Sequence, residues 1–176
     1  MLYVQQSLSP DEEIIHIGHF HWMYTLRAVL AIFWGIAGCI GIIVASVYFQ
    51  QNYWQGFEAQ TWMGKVQELH PGIRIGAFFV FIFGVLRFAS MMVTKATTEI
   101  AITNNRLIFK RGLVARYVGE MSIDRIEGVN VLQSVLGRIF GYGRIMVRGM
   151  GVGEVILPPI SNPIAFRRAI EKARVS

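Results

Sequence analysis

Three of the four histidines, His16, His19 and His21, lie close together near the start of the chain. Such a cluster raises the question of a metal or haem site, since imidazole is a common ligand of both. No cysteine or carboxylate is interleaved with them at a recognised metal-ligand spacing, and the segment fits either a helix or a strand. Because Trp22 and Tyr24 follow directly, we interpret the group as interfacial residues at the headgroup level of a membrane, and we expect no metal and no cofactor.

No arrangement of catalytic side chains is evident. Ser122 and Asp124 are near neighbours, but no histidine follows His70, so a Ser-His-Asp triad would need a residue from the apolar half of the chain. The carboxylates Glu120, Asp124 and Glu127 are interspersed with Arg125, which is typical of solvated ion-pair partners rather than of an acid–base pair. We therefore expect no catalytic residues and a protein that is not an enzyme.

Five glycines fall within residues 141–153. A phosphate-binding loop would end in Gly-Lys-Ser or Gly-Lys-Thr and open a helix, and this stretch does neither. The glycines are therefore predicted to serve tight turns between strands.

The composition is that of an integral membrane protein, with 53% hydrophobic and 16% charged residues and a mean hydropathy of +0.45. Residues 28–49 contain Ser46 as their only conventional polar side chain. A helix of this length reaches about 33 Å, enough to cross a hydrocarbon core of about 30 Å. Residues 73–93 form a second run. Its Arg87 is interpreted as snorkelling to the nearer membrane surface, because neither run holds an acidic partner for an ion or proton pathway.

Small residues recur in the first run, where Gly35, Gly38 and Gly41 follow a three-residue spacing. Such a face permits close contact with another helix, so these glycines are the candidate residues for helix–helix packing. The single cysteine, Cys39, lies in the same run and is interpreted as a packing residue. A function in transport or redox chemistry would have to rest on Arg87 and the histidine cluster.

Two spans place both ends of the chain on one side of the membrane. From residue 95 onward, 13 Lys/Arg and 6 Asp/Glu give a net charge of +7, whereas the rest of the chain carries −1. This bias assigns both termini to the cytoplasm, and the acidic Asp11-Glu12-Glu13 ahead of the first span argues against a cleaved signal peptide. The predicted organisation is a cytoplasmic segment 1–25, a two-helix anchor 26–93 with an aromatic extracytoplasmic loop 50–72, which could include a short amphipathic helix, and a cytoplasmic β-domain 94–176.

The stretch TTEIAITNNRLIFKRG, residues 97–112, predicts a β-hairpin with a two-residue turn at Asn104-Asn105. Asparagine suits the positive φ that such turns require. The register pairs apolar residues with each other and places opposite charges at the open end: Ile100 with Phe109, Ile102 with Leu107, and Glu99 with Lys110.

Short β-type runs follow at 113–121, 127–132, 144–148 and 154–157, with one or two helical turns at 135–140. The last element is predicted to be a helix that begins at Pro163, after Ser161 or Asn162 as its cap. Its apolar stripe consists of Phe166, Ala169, Ile170 and Ala173.

The order of these elements and three stretches, TEIAITNNRLIFKRG, SIDRIEGVNVLQSVLGRIFGYGRIMVRG and NPIAFRRAI, resemble the bacterial pleckstrin-homology-like (PH-like) domain of the YdbS-like membrane proteins. The resemblance extends to SLSPDEEII and HFHW near the N-terminus and so covers nearly the whole chain. It implies an α+β protein of the bacterial inner membrane. Two transmembrane helices would precede a curved, seven-stranded β-barrel or sandwich capped by the C-terminal helix.

Eukaryotic members of this fold bind phosphoinositides through basic residues on a long loop between the first two strands. Here that loop is Asn104-Asn105, which is too short to form such a pocket. Related bacterial domains are thought to assemble into rings, so the resemblance also implies self-association.

These observations lead to a preferred hypothesis and an alternative. The preferred one is a scaffold that self-associates or docks another membrane protein through a sheet face or edge, with the lipid bilayer and no nucleic acid among its partners. The alternative is a module that senses anionic lipid at the inner leaflet. Its candidate contact residues are Arg106, Lys110, Arg111, Arg116, Arg144 and Arg148.

Overall fold

The computed structural model describes residues 2–54, 57–112, 117–150 and 153–174. The chain divides into two compact units, one formed by residues 1–24 and 93–176 and the other by residues 25–92. Helices α2 (Trp22–Tyr53) and α4 (Pro71–Thr97) supply most of the second unit. Both are long and apolar enough to cross a membrane, as the two hydrophobic runs predicted.

The connection between α2 and α4 contains a short helix, α3 (Trp62–Glu68). The hydroxyl oxygen of Thr61 accepts a hydrogen bond from the amide of Gly64 at 3.2 Å and caps the N-terminus of α3. The Glu68 carboxylate accepts one from the amide of Ala59 at 2.8 Å. The connection therefore folds back on itself around α3. This helix agrees with the short helix that the sequence analysis gave as one option for the loop.

The first sheet is antiparallel with the strand order β1-β2-β3-β4. Its members are β1 (Ile14–Gly18), β2 (Glu99–Thr103), β3 (Arg106–Arg111) and β4 (Tyr117–Ser122). Strand β1 precedes the first span, yet it pairs with β2. The sequence analysis separated residues 1–25 from the β-domain, whereas the structure places part of that segment inside the sheet. Residues 113–116 of the predicted 113–121 strand lie outside the described residues.

The predicted hairpin register is confirmed, with Ile100 opposite Phe109, Ile102 opposite Leu107 and Glu99 opposite Lys110. The turn itself differs from the prediction, because neither Asn104 nor Asn105 adopts a positive φ. Instead the hydroxyl oxygen of Thr103 accepts hydrogen bonds from the amides of Asn105 at 3.3 Å and Arg106 at 3.0 Å. A side-chain oxygen thus shapes this turn in place of left-handed backbone.

The second sheet has the order β5-β6-β7, and a further strand, β8, pairs with β6. The elements are β5 (Ile126–Leu132), α5 (Val135–Phe140), β6 (Tyr142–Gly149), β7 (Gly153–Ile156), β8 (Ile160–Ser161) and α6 (Pro163–Ala173). The described residues therefore form eight strands where the resemblance implied seven, and the eight include β1 and the two-residue β8.

Buried apolar side chains from both sheets form one core, which α6 closes. Phe166 and Ile170 of α6 are fully buried, as the predicted stripe requires. Burial of a side chain of this size stabilises a fold by about 1.5–3 kcal/mol. On the other face of the first sheet, helix α1 (Leu2–Ser7) packs Val4 against Ala101 and Ile108. Strand β2 is therefore buried on both of its faces.

Asn162 precedes Pro163 in a left-handed conformation with φ of 48°, and its side chain makes no capping hydrogen bond to α6. The predicted start of this helix is confirmed. Asn162 occupies the N-cap position, but its side chain does not hydrogen-bond to the amides of the first turn.

Candidate functional site

Arg106, the first residue of β3, is enclosed by carboxylates from other elements. Its Nε and Nη2 donate to the two oxygens of Glu12 at 2.9 and 2.8 Å, a bidentate pairing. Its Nη1 donates to Glu120 at 2.7 Å, and Thr103 donates its hydroxyl to Glu12 at 2.6 Å. The Glu12 side chain is only 1% exposed. This ion pair joins the N-terminal segment to the hairpin turn.

The electrostatics of this pair favour the charged state of both partners. Burial alone would raise the pKa of Glu12, but hydrogen bonds from Arg106, Thr103 and the amide of Ser9 outweigh it and hold that pKa below its ordinary value near 4.5. The hydrogen bond to Glu12 raises the pKa of Arg106 in turn. At neutral pH the guanidinium is therefore neutralised within the fold.

Two further predicted contact residues are also paired. Lys110 Nζ lies 3.4 Å from Glu99 Oε1 and 5.1 Å from the centroid of the Tyr3 ring. Arg148 Nε donates to Glu154 Oε1 at 3.0 Å across the β6–β7 pair, in an exposed position. Both pairs hold neighbouring strands in register.

Arg111 and Arg144 differ from these residues, because neither makes a hydrogen bond or an ion pair in the described part of the chain. Both line one cleft with a volume of about 340 Å³. The other lining residues are Tyr24, Thr94, Thr98, Phe109, Ile156, Leu157, Pro158 and Pro159. Arg116 lies outside the described residues. The five described contact residues thus do not form one patch, and among them only Arg111 and Arg144 have no counter-charge in the described part of the chain.

A second cleft, of about 460 Å³, lies beside the Arg106 ion pair. Its lining includes Glu12, Arg106 and Glu120, so its fixed charges already compensate one another. Ser122 reaches the same cleft, and no histidine is among the described residues that line it.

The structure places two of the three histidines, His16 and His21, in the packing of the β-domain, which differs from their interpretation as interfacial residues. His16 on β1 lies edge-on to Phe166, with ring centroids 5.7 Å apart, and burial and then the neighbouring His19 lower its pKa. His21 is 8% exposed and stacks on Tyr142 at 5.2 Å. These rings serve as packing groups of the β-domain. Among the described residues no group of three or more His, Cys, Asp and Glu could hold a metal ion.

The glycines of the first span have unequal surroundings. A Cβ added to Gly35 would lie 3.0 Å from the Cα of Gly84 on α4, and one added to Gly84 would lie 2.8 Å from the Cα of Gly35 and from the carbonyl oxygen of Ala31. A Cβ on Gly38 would meet Val80 at 3.0 Å, whereas one on Gly41 would meet nothing within 4 Å. The close packing is therefore between the two spans of one chain. The sequence analysis missed Gly84, because the second run contains only Gly76 and Gly84, which do not repeat at the short spacing seen in the first run.

Helix α5 presents an apolar surface to solvent, which the sequence analysis also missed. Ser134 accepts a hydrogen bond from the amide of Gly137 at 3.1 Å to begin the helix, and Gly141, with φ of 71°, ends it. Phe140 contacts Trp22, the first residue of α2, with ring centroids 5.9 Å apart. The α5 surface consists of Trp22, Leu132, Val135, Leu136, Ile139 and Phe140, which are 43–77% exposed.

Two antiparallel sheets closed by a C-terminal helix, in a chain with two apolar spans, define a membrane protein with a PH-like domain. The family described as bacterial PH domain matches residues 14–174, and the chain belongs to this family. The match begins at Ile14, the first residue of β1, in agreement with the position of that strand in the sheet.

The chain is similar to the UPF0699 transmembrane protein YdbT of Bacillus subtilis (strain 168), with 20% identity over 162 residues. The alignment covers 87% of this chain but only 31% of the relative, so the chain spans less than a third of the relative's length. No solved structure matches the chain with significance.

Proposed function

We propose that this protein is a non-enzymatic scaffold. Its two spans hold the PH-like domain at the cytoplasmic face of the bacterial inner membrane, and the domain docks a second copy or another membrane protein through the α5 surface. The observation that carries the proposal is the exposure of α5, on which Val135 is 77% and Ile139 is 70% exposed. Contiguous apolar patches of this kind mark interaction sites in folded proteins.

The neighbouring strand favours a protein as the occupant. Leu132, which belongs to the α5 surface, ends β5, and β5 is an edge strand among the described residues. A protein partner can pair with the open backbone groups of an edge strand while it covers apolar side chains. Hydrocarbon cannot satisfy those groups. The combination of an apolar helix and an open edge therefore supports protein docking.

The proposed topology rests on charge. The segment from residue 95 onward carries 13 of the 17 Lys and Arg residues, and cytoplasmic segments are enriched in these residues. Alkaline phosphatase and green fluorescent protein, fused in turn after Ser176, test this assignment. We expect fluorescence without phosphatase activity, and the reverse pattern would contradict it.

Site-specific photo-crosslinking in native membranes tests the docking surface. A photoreactive amino acid replaces Ile139 of α5 in one variant and Ile164 of α6 in the control. Ile164 is likewise exposed, at 53% compared with 70%, but lies outside the α5 surface. We expect protein adducts from position 139 only, at twice the mass of the chain for self-association or at another discrete mass for a partner.

The scaffold proposal fails if position 139 yields lipid adducts alone, because α5 would then be a membrane-contacting element. It also fails if positions 139 and 164 yield the same protein adducts, since such contacts would be unspecific.

A second candidate function is the recognition of anionic lipid at the inner leaflet. It is supported by the net charge of +7 from residue 95 onward and by Arg111 and Arg144, for which the described residues provide no counter-charge. Strand β1 belongs to the sheet, so the test requires the full chain. The thermal midpoint of the detergent-purified protein is expected to rise with phosphatidylglycerol and not with phosphatidylcholine. Equal shifts would contradict charge recognition.

A further inference from the structure

We infer that the cleft between Arg111 and Arg144 is a specific site for the phosphate group of one anionic phospholipid. The cleft joins the end of β3, which contributes Phe109 and Arg111, to the beginning of β6, which contributes Arg144. This inference rests on the second candidate function, the recognition of anionic lipid. It assigns the binding to two side chains, Arg111 and Arg144, in place of the overall positive charge of the domain.

The charges of the cleft favour an anion. Arg111 and Arg144 are both exposed, and neither has a partner in the described part of the chain. The described lining residues include no Asp or Glu. Two guanidinium groups in one cleft suit a phosphate, since each can donate parallel hydrogen bonds to two of its oxygens.

The walls of the cleft favour an amphiphile over a free anion. Phe109 and Leu157 are buried at its base, and Pro158 and Pro159 add apolar surface without amide donors. The volume of about 340 Å³ lies within the range of about 300–1,000 Å³ that is usual for ligand pockets. A glycerol backbone can lie against this apolar wall while its phosphate faces the arginines.

Part of the cleft lining adjoins the apolar runs along the sequence. Thr94 and Thr98 line it and follow the apolar run that ends at residue 93, while Tyr24 lines it from just before the first apolar run. A headgroup phosphate lies at the boundary where such runs end. A phospholipid is therefore the source of phosphate that the position of the cleft favours.

The inference also explains why the short Asn104-Asn105 turn does not prevent headgroup recognition. That turn lies at the opposite end of β3, beside Arg106, whose charge Glu12 and Glu120 neutralise. The proposed site uses other elements and does not need a long loop.

Native mass spectrometry of the full chain in detergent tests the site by titration with phosphatidylglycerol. The double variant Arg111→Gln/Arg144→Gln is compared with Arg168→Gln/Arg174→Gln, which removes the same charge from exposed positions on and beside α6. Hydrogen bonds between charged groups are strong enough that losing both arginines should weaken binding about tenfold or more. The control pair should change it less than about twofold.

Each alternative outcome overturns the inference in a distinguishable way. An equal loss in both double variants shows that only overall charge matters, and an unchanged affinity in Arg111→Gln/Arg144→Gln places the lipid elsewhere. Displacement of phosphatidylglycerol by an excess of inorganic phosphate assigns the cleft to free phosphate. If the wild-type chain does not bind phosphatidylglycerol, the second candidate function fails together with the site, while the scaffold proposal is untouched.

Discussion

Strand β3 carries an arginine at each end, and the two ends differ in what surrounds them. Arg106 is bound by Glu12 and Glu120, which reach it from the N-terminal segment and from β4. Arg111 has no such partner in the described residues and opens into a cleft that it shares with Arg144. A basic residue of this domain is therefore available to a ligand only where no carboxylate from another element folds onto it.

Among substitutions that compare the two ends of β3, Arg106→Gln is expected to have the largest effect on stability. The substitution leaves the Glu12 carboxylate buried without its cation, and removal of one partner of a buried pair costs about 3 kcal/mol at the lower end of the usual range. We take the lower end because the Arg106 side chain is 25% exposed. The thermal midpoint should fall by roughly 10 °C or more.

Arg111→Gln is the matched control for that measurement, since it removes the same charge from the same strand at an exposed position to which the described residues offer no partner. Its thermal midpoint should equal that of the wild type. Arg106→Lys should lie between the two, because an ammonium restores the charge but not the bidentate geometry. Equal midpoints for Arg106→Gln and Arg111→Gln would break the contrast between the two ends.

The hairpin could be predicted from the sequence because its information is local. Ile100 and Ile102 lie two positions apart and so share one face of the strand, and Glu99 and Lys110 define the open end, so one register satisfies all of them. The two candidate spans could be predicted for a similar reason, since each is a continuous apolar run.

The candidate site could not be predicted in the same way. Glu12 and Arg106 are 94 positions apart, with both spans between them. No periodicity relates residues at that distance, and the acidic cluster around Glu12 indicated only the absence of a signal peptide. The basic residues were therefore read as one set, and the fold divides them into paired and unpaired members.

A similar contrast occurs within the spans, where Gly84 packs closely against the backbone of the other span and Gly41 has open space beside it. Gly84→Ala would place a Cβ 2.8 Å from backbone atoms of Ala31 and Gly35. Backbone cannot yield as a side-chain end can, so we expect a destabilisation of about 1–3 kcal/mol, typical of overpacking. Thermal unfolding of the full chain in detergent measures it.

Gly41→Ala has open space around the new methyl group and should leave the thermal midpoint unchanged or slightly raised, since alanine is the better helix former. Gly38→Ala should have an intermediate effect, because its contact is a methyl group of Val80, which can move. If Gly41→Ala is as disruptive as Gly84→Ala, the first span packs against a second chain through that face.

The smallest effect is expected from acidification, which probes the paired end of β3 without a mutation. The folded pKa of Glu12 is lowered relative to its ordinary value near 4.5, so this carboxylate stabilises the fold fully above that pH. Its contribution is lost as the pH falls from about 4.5 through the lower folded pKa. The pKa of His16 is also lowered, from its ordinary value near 6.5, so a first decline of the thermal midpoint is expected as the pH falls below about 6.5. The loss from Glu12 should add a second decline below about 4.5.

Glu99 behaves in the same way. Burial alone would raise its pKa, but the hydrogen bond from the amide of Val4 and the charge of Lys110 outweigh burial and lower it. Glu99 therefore also loses stabilising free energy as the pH falls. Glu12→Gln should consequently flatten in part the decline below about pH 4.5. Glu13→Gln, at an exposed neighbouring position, should leave that decline as in the wild type. A decline that Glu12→Gln does not reduce would mean that the ion pair at Arg106 contributes no pH-dependent stability. The two arginines of β3 would then differ in geometry but not in energy.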